Sequence, residues 1–523
     1  MGREFSQLTP ADFVSMNWGE GKLLRVCGTN GSDSLAVRGT PRPFRTLTAA
    51  KNAAISGDTI LVYPGTYTER DLLKNGVNWH FMAGAVVVND VSQYNTGNLA
   101  IPILVPPVPV GVYSIFSDRN EAIICSITGD GEFRYNIGNG ATREDEGDPG
   151  IYLLTGVHEQ LGRSGGLLYV RNPASKISLQ FKDAYHSGFS GGGVFMIWVE
   201  DCDDVHVKGR RMDTANTTLT SAVPCGYSEP PSTANPLYAE DYGGGIWWSQ
   251  GDLYIDIDVI RSGNYTLYPN AETLTAGSKA SNIWVRASLI EAFSSFATIY
   301  TSGSNFPTGW RIWIDAQELK QSGAGSLLNQ FSGRCYVRCM KASSNASVFV
   351  IGGGGAGTGV TEAWLDCQKI TAGDVAIQLQ GPRVTRVWAE VKHIESNGVT
   401  PGSVTPFIHT SHASSKLVLS NAEVIGALDR TGVQHSAGIS VVKNVRIDTT
   451  ATNDVDNKPV IVGAAGLILD GCTLLAPALA DSIYAAAAQT VKIYGTTFAN
   501  KAKHANVTVQ AGLGTLVADS NVT

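Results

Sequence analysis

Six octapeptides share one pattern: LYIDIDVI from Leu253, IWVRASLI from Ile283, IWIDAQEL from Ile312, CYVRCMKA from Cys335, AWLDCQKI from Ala363 and VWAEVKHI from Val387. Each has small or apolar residues at positions 1, 3, 5 and 8. Side chains alternate between the two faces of a β-strand, so the pattern predicts a strand with one buried face and with positions 2 and 4 pointing outward. Position 8 then lies beyond a bend.

The outward positions repeat as regularly as the inward ones. Position 2 is aromatic in every copy: Tyr254, Trp284, Trp313, Tyr336, Trp364 and Trp388. Position 4 alternates in charge until the last pair: Asp256, Arg286, Asp315, Arg338, Asp366 and Glu390. The copies begin 23 to 30 residues apart. Parallel strands stacked in register lie about 4.8 Å apart, where opposite charges attract and like charges repel. The sequence therefore predicts a parallel β-helix, a solenoid with one coil per repeat.

The repeat continues in both directions. Further copies are ISLQFKDA from Ile177, VHVKGRRM from Val205, LVLSNAEV from Leu417, SVVKNVRI from Ser440, LILDGCTL from Leu467, VKIYGTTF from Val491 and TLVADSNV from Thr515. Position 5 stacks Cys339 on Cys367 and Asn421 on Asn444, which we interpret as inward ladders. We predict that Cys335, Cys339 and Cys367 are buried thiols rather than disulfide partners.

A second apolar run precedes most copies by about ten residues and predicts a second strand in each coil. These runs are VFMIWV from Val194, IWW from Ile246, ATIY from Ala297, VFVI from Val348, VAIQL from Val375, PVIV from Pro459 and NVTV from Asn506. We predict an N-terminal segment and helical cap over residues 1–57, irregular first coils over 58–172 and regular coils over 173–523. In the cap, TPADFVSMNW and TLTAAKNAAIS have helical patterns, the second beginning after Thr46 or Thr48 and ending near Gly57.

The segment PFRTLTAAKNAAISGDTILVYPGTYTE, from Pro43 to Glu69, resembles the entry segment of many pectate-lyase-like right-handed β-helix proteins. That superfamily includes polysaccharide lyases, hydrolases and bacteriophage tailspikes, and this chain is closest in character to the tailspike-like proteins. The resemblance and the rule for parallel crossovers imply right-handed coils. The predicted fold class is therefore all-β, a right-handed single-stranded parallel β-helix with a short N-terminal helical cap. The matched segment carries no catalytic residue. RIWIDAQEL, from Arg311 to Leu319, is similar to the WIDH stretch of pectate lyases, but Ala316 stands where that family has histidine. The repeat already accounts for IWID, so we interpret this match as a coincidence.

Composition excludes several functional classes. The net charge is −7, charged residues are 16% of the chain and no basic run occurs, so we expect no nucleic-acid partner. No apolar run approaches the roughly 20 residues that span a bilayer, and the N-terminus lacks the pattern of a signal peptide. The sequence predicts no cofactor and no zinc site. The acidic stretch TREDEGDPG, from Thr142 to Gly150, fits either a calcium site or a solvated loop.

One group of residues suggests glycan chemistry. Its catalytic candidates lie beside the apolar runs near the long segment after Val205: Asp241, Glu240, Asp201, Glu200, His186 and Glu291. Carboxylates about 5 to 10 Å apart would suit a glycosidase, although the same residues also suit ordinary turns. Trp247 and Trp248 are candidate platforms for sugar rings.

Three functions fit these observations. The first is a tailspike-like surface or virion protein that binds, and in some cases degrades, a bacterial surface polysaccharide. The others are a free polysaccharide lyase or glycoside hydrolase, and a structural solenoid of an extracellular appendage. We expect an extracellular or phage-tail location.

The aromatic row needs a cover, because it would expose more apolar surface than a soluble monomer normally does. Loops of the same coil, a glycan or neighbouring subunits are the possible covers. We predict a homotrimer with this row as its interface, as the tailspike resemblance also implies. We also expect another chain or domain to cover the last coil, which ends in TLVADSNVT.

Overall fold

A computed structural model describes residues 21–90, 114–118, 121–138, 166–188, 195–199, 202–214, 244–248, 251–263, 265–269, 282–293, 297–301, 311–330, 333–352, 360–381, 384–396, 406–425, 431–450, 458–478, 480–499, 501–511 and 517–518. Within these ranges the chain forms one helix and 39 strands. The predicted helix TPADFVSMNW lies outside the described residues.

The strands belong to two parallel sheets. In chain order they are β1 (Leu23–Val26), β2 (Thr59–Val62), β3 (Gly65–Thr68), β4 (Asn78–Phe81), β5 (Ala85–Asp90), β6 (Phe116–Ser117), β7 (Ile124–Gly129), β8 (Glu132–Gly138), β9 (Leu168–Val170), β10 (Lys176–Gly188), β11 (Phe195–Val199), β12 (Cys202–Asp213), β13 (Gly244–Trp248), β14 (Gly251–Ser262), β15 (Leu267–Pro269), β16 (Asn282–Ala292), β17 (Ile299–Thr301), β18 (Arg311–Gln321), β19 (Leu328–Gln330), β20 (Gly333–Ser344), β21 (Phe349–Ile351), β22 (Val360–Ala372), β23 (Ile377–Leu379), β24 (Val384–Ser396), β25 (Ile408–Thr410), β26 (Lys416–Ser420), β27 (Glu423–Ile425), β28 (Val433–His435), β29 (Ile439–Lys443), β30 (Arg446–Asp448), β31 (Val460–Val462), β32 (Leu467–Asp470), β33 (Thr473–Leu475), β34 (Asp481–Tyr484), β35 (Gln489–Tyr494), β36 (Thr497–Ala499), β37 (Lys501–Lys503), β38 (Val507–Ala511) and β39 (Val517–Ala518).

From β10 to β24, each coil contributes one long strand to a 25-stranded sheet and one short strand to a 14-stranded sheet. Strands of successive coils pair in parallel and in register, as Trp284 with Trp313 and Trp364 with Trp388 show. The smaller sheet comprises β6, β9, β11, β13, β15, β17, β19, β21, β23, β25, β28, β31, β34 and β37. The predicted right-handed parallel β-helix is thereby confirmed.

Inward side chains of both sheets form one continuous apolar core. Position 3 of the repeat illustrates it, because Val285, Ile314 and Leu365 are each buried to 2% exposure or less. Burial of each such side chain stabilises the fold by about 1.5 to 3 kcal/mol. The predicted inward thiols are confirmed: Cys339 and Cys367 are buried, free and stacked with their Sγ atoms 3.2 Å apart.

The bend between positions 4 and 8 changes along the solenoid. In β14 to β24 the long strand is continuous, with position 5 buried and positions 6 and 7 directed outward. From β26 onward two short strands replace it, and position 5 takes a left-handed conformation: Asn421 (φ 56), Asn444 (φ 52), Gly471 (φ 61) and Gly495 (φ 51). Asn421 and Asn444 are therefore exposed, and the predicted inward asparagine ladder is wrong. Asparagine and glycine tolerate this conformation, so position 6 takes the inward place instead.

The N-terminal coil carries the helix α1 (Leu47–Ala53), as predicted. Thr46 is its N-cap and accepts a hydrogen bond from the backbone N–H of Ala49 at 3.2 Å. The carboxylate of Glu69 accepts two more, from the N–H groups of Leu47 at 2.7 Å and Thr48 at 2.5 Å. Strand β1 lies inside the segment predicted as a cap and pairs with β2, so Leu23 already takes part in coil pairing.

The last described coil has a register that differs from the prediction. Val509 pairs with Val491, which makes Val509 rather than Thr515 position 1, and makes Gln510 position 2. Strand β39 pairs instead with β36, the second half of the preceding coil. The run from Asn506 accordingly belongs to the larger sheet. Both halves of a coil have the same alternation of period two, so the apolar pattern alone fits either one.

Candidate functional site

Position 2 of the regular coils builds a continuous stack of rings on the outer face of the larger sheet. Neighbouring centroids lie 4.4 Å apart at the step from Tyr254 to Trp284 and 5.3 Å apart at the step from Trp313 to Tyr336, with planes 1° and 7° apart. His206 adds a ring 4.3 Å from Tyr254. We call the set the aromatic ladder: His206, Tyr254, Trp284, Trp313, Tyr336, Trp364 and Trp388.

Stacking changes what the ladder offers to a ligand. Between His206 and Trp388 each ring face is covered by the ring of the adjacent coil, so solvent meets ring edges. None of these aromatic residues is among the exposed large apolar residues of the described chain. The apolar surface expected from the sequence is thus partly covered by the rings themselves. The ladder presents a narrow apolar strip rather than separate flat platforms.

Position 4 forms a second row, which we call the charged ladder: Lys208, Asp256, Arg286, Asp315, Arg338, Asp366 and Glu390. Arg286 Nε donates to Asp256 Oδ1 at 2.9 Å, and Arg338 Nε donates to Asp315 Oδ1 at 3.2 Å. In both pairs Nη2 donates to the second carboxylate oxygen. The hydrogen bond from Arg286 lowers the pKa of Asp256. These pairs are solvent-exposed, so each contributes only about 0.2 to 1 kcal/mol to stability.

A groove of about 950 Å³ runs between the two ladders. It extends over nine coils, from that of Ser178 to that of Val418, which corresponds to about 38 Å along the solenoid axis. The residues of position 3, whose side chains point into the core, form the floor of the groove between the two rows. From the sequence alone we interpreted the aromatic row as a subunit interface. A binding groove was not predicted, because its concave shape depends on how far both rows project.

We compared the chain with protein-family models, curated proteins and solved structures. None of them matches it. The chemistry of the groove must therefore be argued from its own side chains.

Glu291, a predicted catalytic carboxylate, lies between two cations. It is 1% exposed, and Oε1 accepts hydrogen bonds from Lys320 Nζ at 2.8 Å and Ser322 Oγ at 2.6 Å. Arg261 Nη2 lies 2.9 Å from Oε2. Burial acts to raise the pKa of Glu291, but the contacts with Lys320, Ser322 and Arg261 outweigh it and lower the pKa. This geometry is that of a structural ion pair, and it does not supply a proton donor near neutral pH.

The other predicted site residues are only partly described. His186 is in β10 opposite Tyr135, while Trp247 is in β13 between Trp198 and Tyr268 of the adjacent strands. Trp248 follows Trp247 in the same strand. Asp241, Glu240, Asp201 and Glu200 lie outside the described residues. The catalytic and sugar-platform assignments stay predictions.

The smaller sheet carries a second aromatic row that the sequence analysis missed. Tyr169 and Trp198 pair in register, and both are buried. Tyr265 stacks on Tyr268 at 4.8 Å, and Tyr300 lies 5.6 Å from Tyr268 with its ring tilted by 31°. Trp247 pairs in register with Trp198 on one side and with Tyr268 on the other. The recurrence of aromatic residues in the short apolar runs was the sequence signal that could have predicted this row.

Metal and thiol chemistry have no support among the described residues, which contain no group of three or more His, Cys, Asp or Glu side chains placed to hold a metal ion. The acidic stretch 142–150 lies outside them. Burial raises the pKa of Cys335 to about 12, so its thiol is a poor nucleophile. No helix in the described ranges is long and apolar enough to cross a membrane.

Proposed function

We propose that the chain is a polysaccharide-binding solenoid of the tailspike-like kind, which acts at the surface of a virion or cell and holds an extended bacterial glycan in the groove. The groove of about 950 Å³ between the aromatic and charged ladders is the observation that carries this proposal. A sugar chain presents apolar C–H groups and hydroxyls along its length. The ring edges can contact the C–H groups, and the charged side chains can hydrogen-bond with the hydroxyls.

The charged ladder keeps hydrogen-bonding capacity for hydroxyl groups. Arg286 and Arg338 each use Nε and Nη2 to hold their carboxylate partners. A guanidinium has five N–H donors, so Nη1 stays available on each. The carboxylates of Asp256 and Asp315 have further acceptor positions. An extended glycan would therefore meet a donor and an acceptor within each pair of coils.

Glycan binding can be tested by calorimetry against a panel of bacterial surface polysaccharides. We expect Trp313→Ala to weaken binding about tenfold or more, equivalent to about 1.4 kcal/mol. Val441→Ala is the matched control, because Val441 occupies position 2 outside the groove, and its Kd should stay within about twofold. Thermal unfolding of both variants separates lost contact from lost fold. Equal affinity of the two folded variants would contradict the groove assignment.

Degradation of the glycan is a second proposal, and one observation favours it. Charge alternation breaks where Asp366 pairs in register with Glu390, so two carboxylates line the groove from adjacent strands, whose backbones are about 4.8 Å apart. Carboxyl groups about 5 Å apart suit a retaining glycosidase. Reducing ends report hydrolysis, and absorbance of unsaturated uronates reports a lyase. Loss of activity in Glu390→Gln supports this pair, whereas loss in Asp241→Asn alone supports the cluster predicted from the sequence.

A homotrimer built on the aromatic ladder is a competing proposal for the same face, because such a contact would close the groove. The alternatives differ in solution. A trimer predicts about three times the 55.4 kDa chain mass by light scattering and ladder tryptophans protected from aqueous quenchers. A monomer with quenchable tryptophans leaves the groove open to glycan.

A further inference from the structure

We infer that the groove is built for an uncharged polysaccharide. This inference rests on the proposed function and adds the chemical class of the ligand. Its basis is the pairing of charges along the charged ladder, where each cation stands in register beside a carboxylate of the next coil. Lys208 pairs with Asp256, Arg286 with Asp256 and Asp315, and Arg338 with Asp315 and Asp366.

The row as a whole has almost no net charge. Three cations, Lys208, Arg286 and Arg338, face four carboxylates, Asp256, Asp315, Asp366 and Glu390, and three minus four leaves −1. Neighbouring charges of opposite sign lie on adjacent strands about 4.8 Å apart, and two of the pairs are in direct contact, Arg286 Nε with Asp256 Oδ1 at 2.9 Å and Arg338 Nε with Asp315 Oδ1 at 3.2 Å. These separations are well within the screening length of about 8 Å at physiological salt. Their fields therefore largely cancel at the position of a bound chain. A cleft attracts a charged ligand when one sign of charge lines it, and this cleft has both in alternation.

An acidic glycan would fit poorly for a second reason. A uronate placed on Arg286 or Arg338 would lie close to the carboxylates on both sides of that arginine. It would either displace an existing ion pair or bind beside a like charge. The chain as a whole has a net charge of −7, which adds long-range repulsion.

Hydroxyl groups avoid this conflict because they both donate and accept. One hydroxyl can accept from Nη1 of an arginine while another donates to the neighbouring carboxylate, and the ion pair stays intact. Each arginine–aspartate pair repeats after two coils, about 9.6 Å along the axis. The ring edges of the aromatic ladder meanwhile contact C–H groups without any demand on charge.

The test uses polymers that share a backbone and differ in charge. The first pair is hydroxyethyl cellulose with carboxymethyl cellulose, and the second is highly methyl-esterified pectin with polygalacturonate. Purified bacterial polysaccharides, sorted into neutral, acidic and cationic, complete the set. Binding of the full-length protein is measured by calorimetry in 0.05 M and 0.5 M NaCl. We expect the binders to be uncharged, with Kd values that change less than about threefold between the two salt concentrations because no ion pairing drives binding.

A charge variant makes the inference sharper. Asp315→Asn combined with Asp366→Asn changes the row from −1 to +1 and leaves Arg338 without its carboxylate partner. We expect this variant to bind acidic polymers at least tenfold more tightly than the unmodified protein. Its affinity for the uncharged ligand should fall by less than about tenfold, because the Oδ1 atom of each asparagine still accepts a hydrogen bond from a hydroxyl group. The matched control is Asp470→Asn, which removes a carboxylate at position 4 outside the groove, 3.9 Å from Lys443. This control should change neither the affinity for acidic polymers nor the affinity for the uncharged ligand.

The outcomes separate the two proposals. If the unmodified protein prefers acidic or cationic polymers, with an affinity that falls tenfold or more at high salt, the groove binds glycan but the inference is wrong. If it binds no member of the panel, the proposed function fails and the inference fails with it. Two results together support both the proposed function and the inference. The unmodified protein must prefer uncharged polymers, and only the double variant must gain affinity for acidic polymers.

Discussion

Glu291 is held by cations that belong to the coils on either side of its own. Arg261 comes from β14 and Lys320 from β18, so one carboxylate connects three successive coils. Removal of its charge leaves two cations facing each other across a buried acceptor. Both cations are partly exposed, at 26% and 43%, so water compensates part of the loss.

We predict that Glu291→Gln lowers the free energy of unfolding by about 1 to 3 kcal/mol. The folded pKa of Glu291 is lowered, so its stabilisation is fully present above the ordinary value of 4.5 and is lost as pH falls through the folded pKa. Denaturant unfolding at pH 7 and at pH 3 should therefore show a smaller difference between variant and parent at the lower pH. Glu318→Gln, in an exposed pair with Lys341, is the control and should cost at most about 1 kcal/mol. An equal loss in both variants would contradict the three-coil role.

Among individual residues, the sequence predicted the stacked aromatic side chains of position 2 but not the stacking of His206 on Tyr254. Histidine at position 2 of the coil from Val205 carries no apolar signal, so its stacking on Tyr254 became visible only in the geometry. The ion pairs of Glu291 with Arg261 and Lys320 were not predicted, for a related reason. A buried ion pair between coils depends on residues about 30 positions apart, which no local motif connects.

The bend after position 4 is the element that varies most along the solenoid. In the coils of β26, β29, β32 and β35 the chain turns through a residue with φ between 51° and 61°. This left-handed conformation costs most residues with a Cβ atom about 1 to 2 kcal/mol. The cost is smaller for asparagine, and glycine, which has no Cβ atom, adopts the conformation freely. The identity of position 5 thus decides which kind of bend a coil makes.

We predict that Asn444→Ala lowers the free energy of unfolding by about 1 to 2 kcal/mol, whereas Asn444→Gly changes it by less than about 0.5 kcal/mol. The two variants lose the same 3.4 Å contact with Asn421, so their difference isolates the backbone conformation. Chemical denaturation of both measures it. Equal effects of alanine and glycine would show that the side-chain contact, not the left-handed conformation, stabilises the bend.

Strand positions were predictable wherever the repeat is long and periodic, as in β14 to β24. Prediction failed at position 5 of the later coils, because an asparagine in register with another asparagine suits an inward ladder and an exposed bend equally. It failed again at Thr515, where two halves of one coil share the same alternation. In both places the deciding quantity is a backbone conformation or a pairing partner, and residue type alone does not specify it.

The whole molecule is a one-dimensional stack, in which each coil contacts chiefly the coils before and after it. Stability in such a solenoid is approximately a sum of coil and nearest-neighbour terms. The consequences of a core substitution should therefore stay local, unlike those in a globular domain with a single compact core.

We predict that Leu365→Ala costs about 2 to 5 kcal/mol, because Leu365 is buried between Val337 and Ala389. Hydrogen exchange should rise in β20, β22 and β24 and stay unchanged in β4 and β32. Met340→Ala is the control, since Met340 is 61% exposed in the same region. A uniform rise in exchange along the whole chain would contradict nearest-neighbour stability.

The alternation of the charged ladder restricts how this protein can gain or lose length during evolution. Loss of the single coil that runs from Ile312 to Arg334 would bring Arg286 directly beside Arg338, and like charges in register destabilise a sheet. Loss of the two coils from Ile283 to Arg334 would bring Asp256 beside Arg338 and restore an attractive pair. Deletions and duplications in this region should therefore be tolerated by even numbers of coils, a parity rule that would set the permitted lengths of the groove in steps of about 9.6 Å.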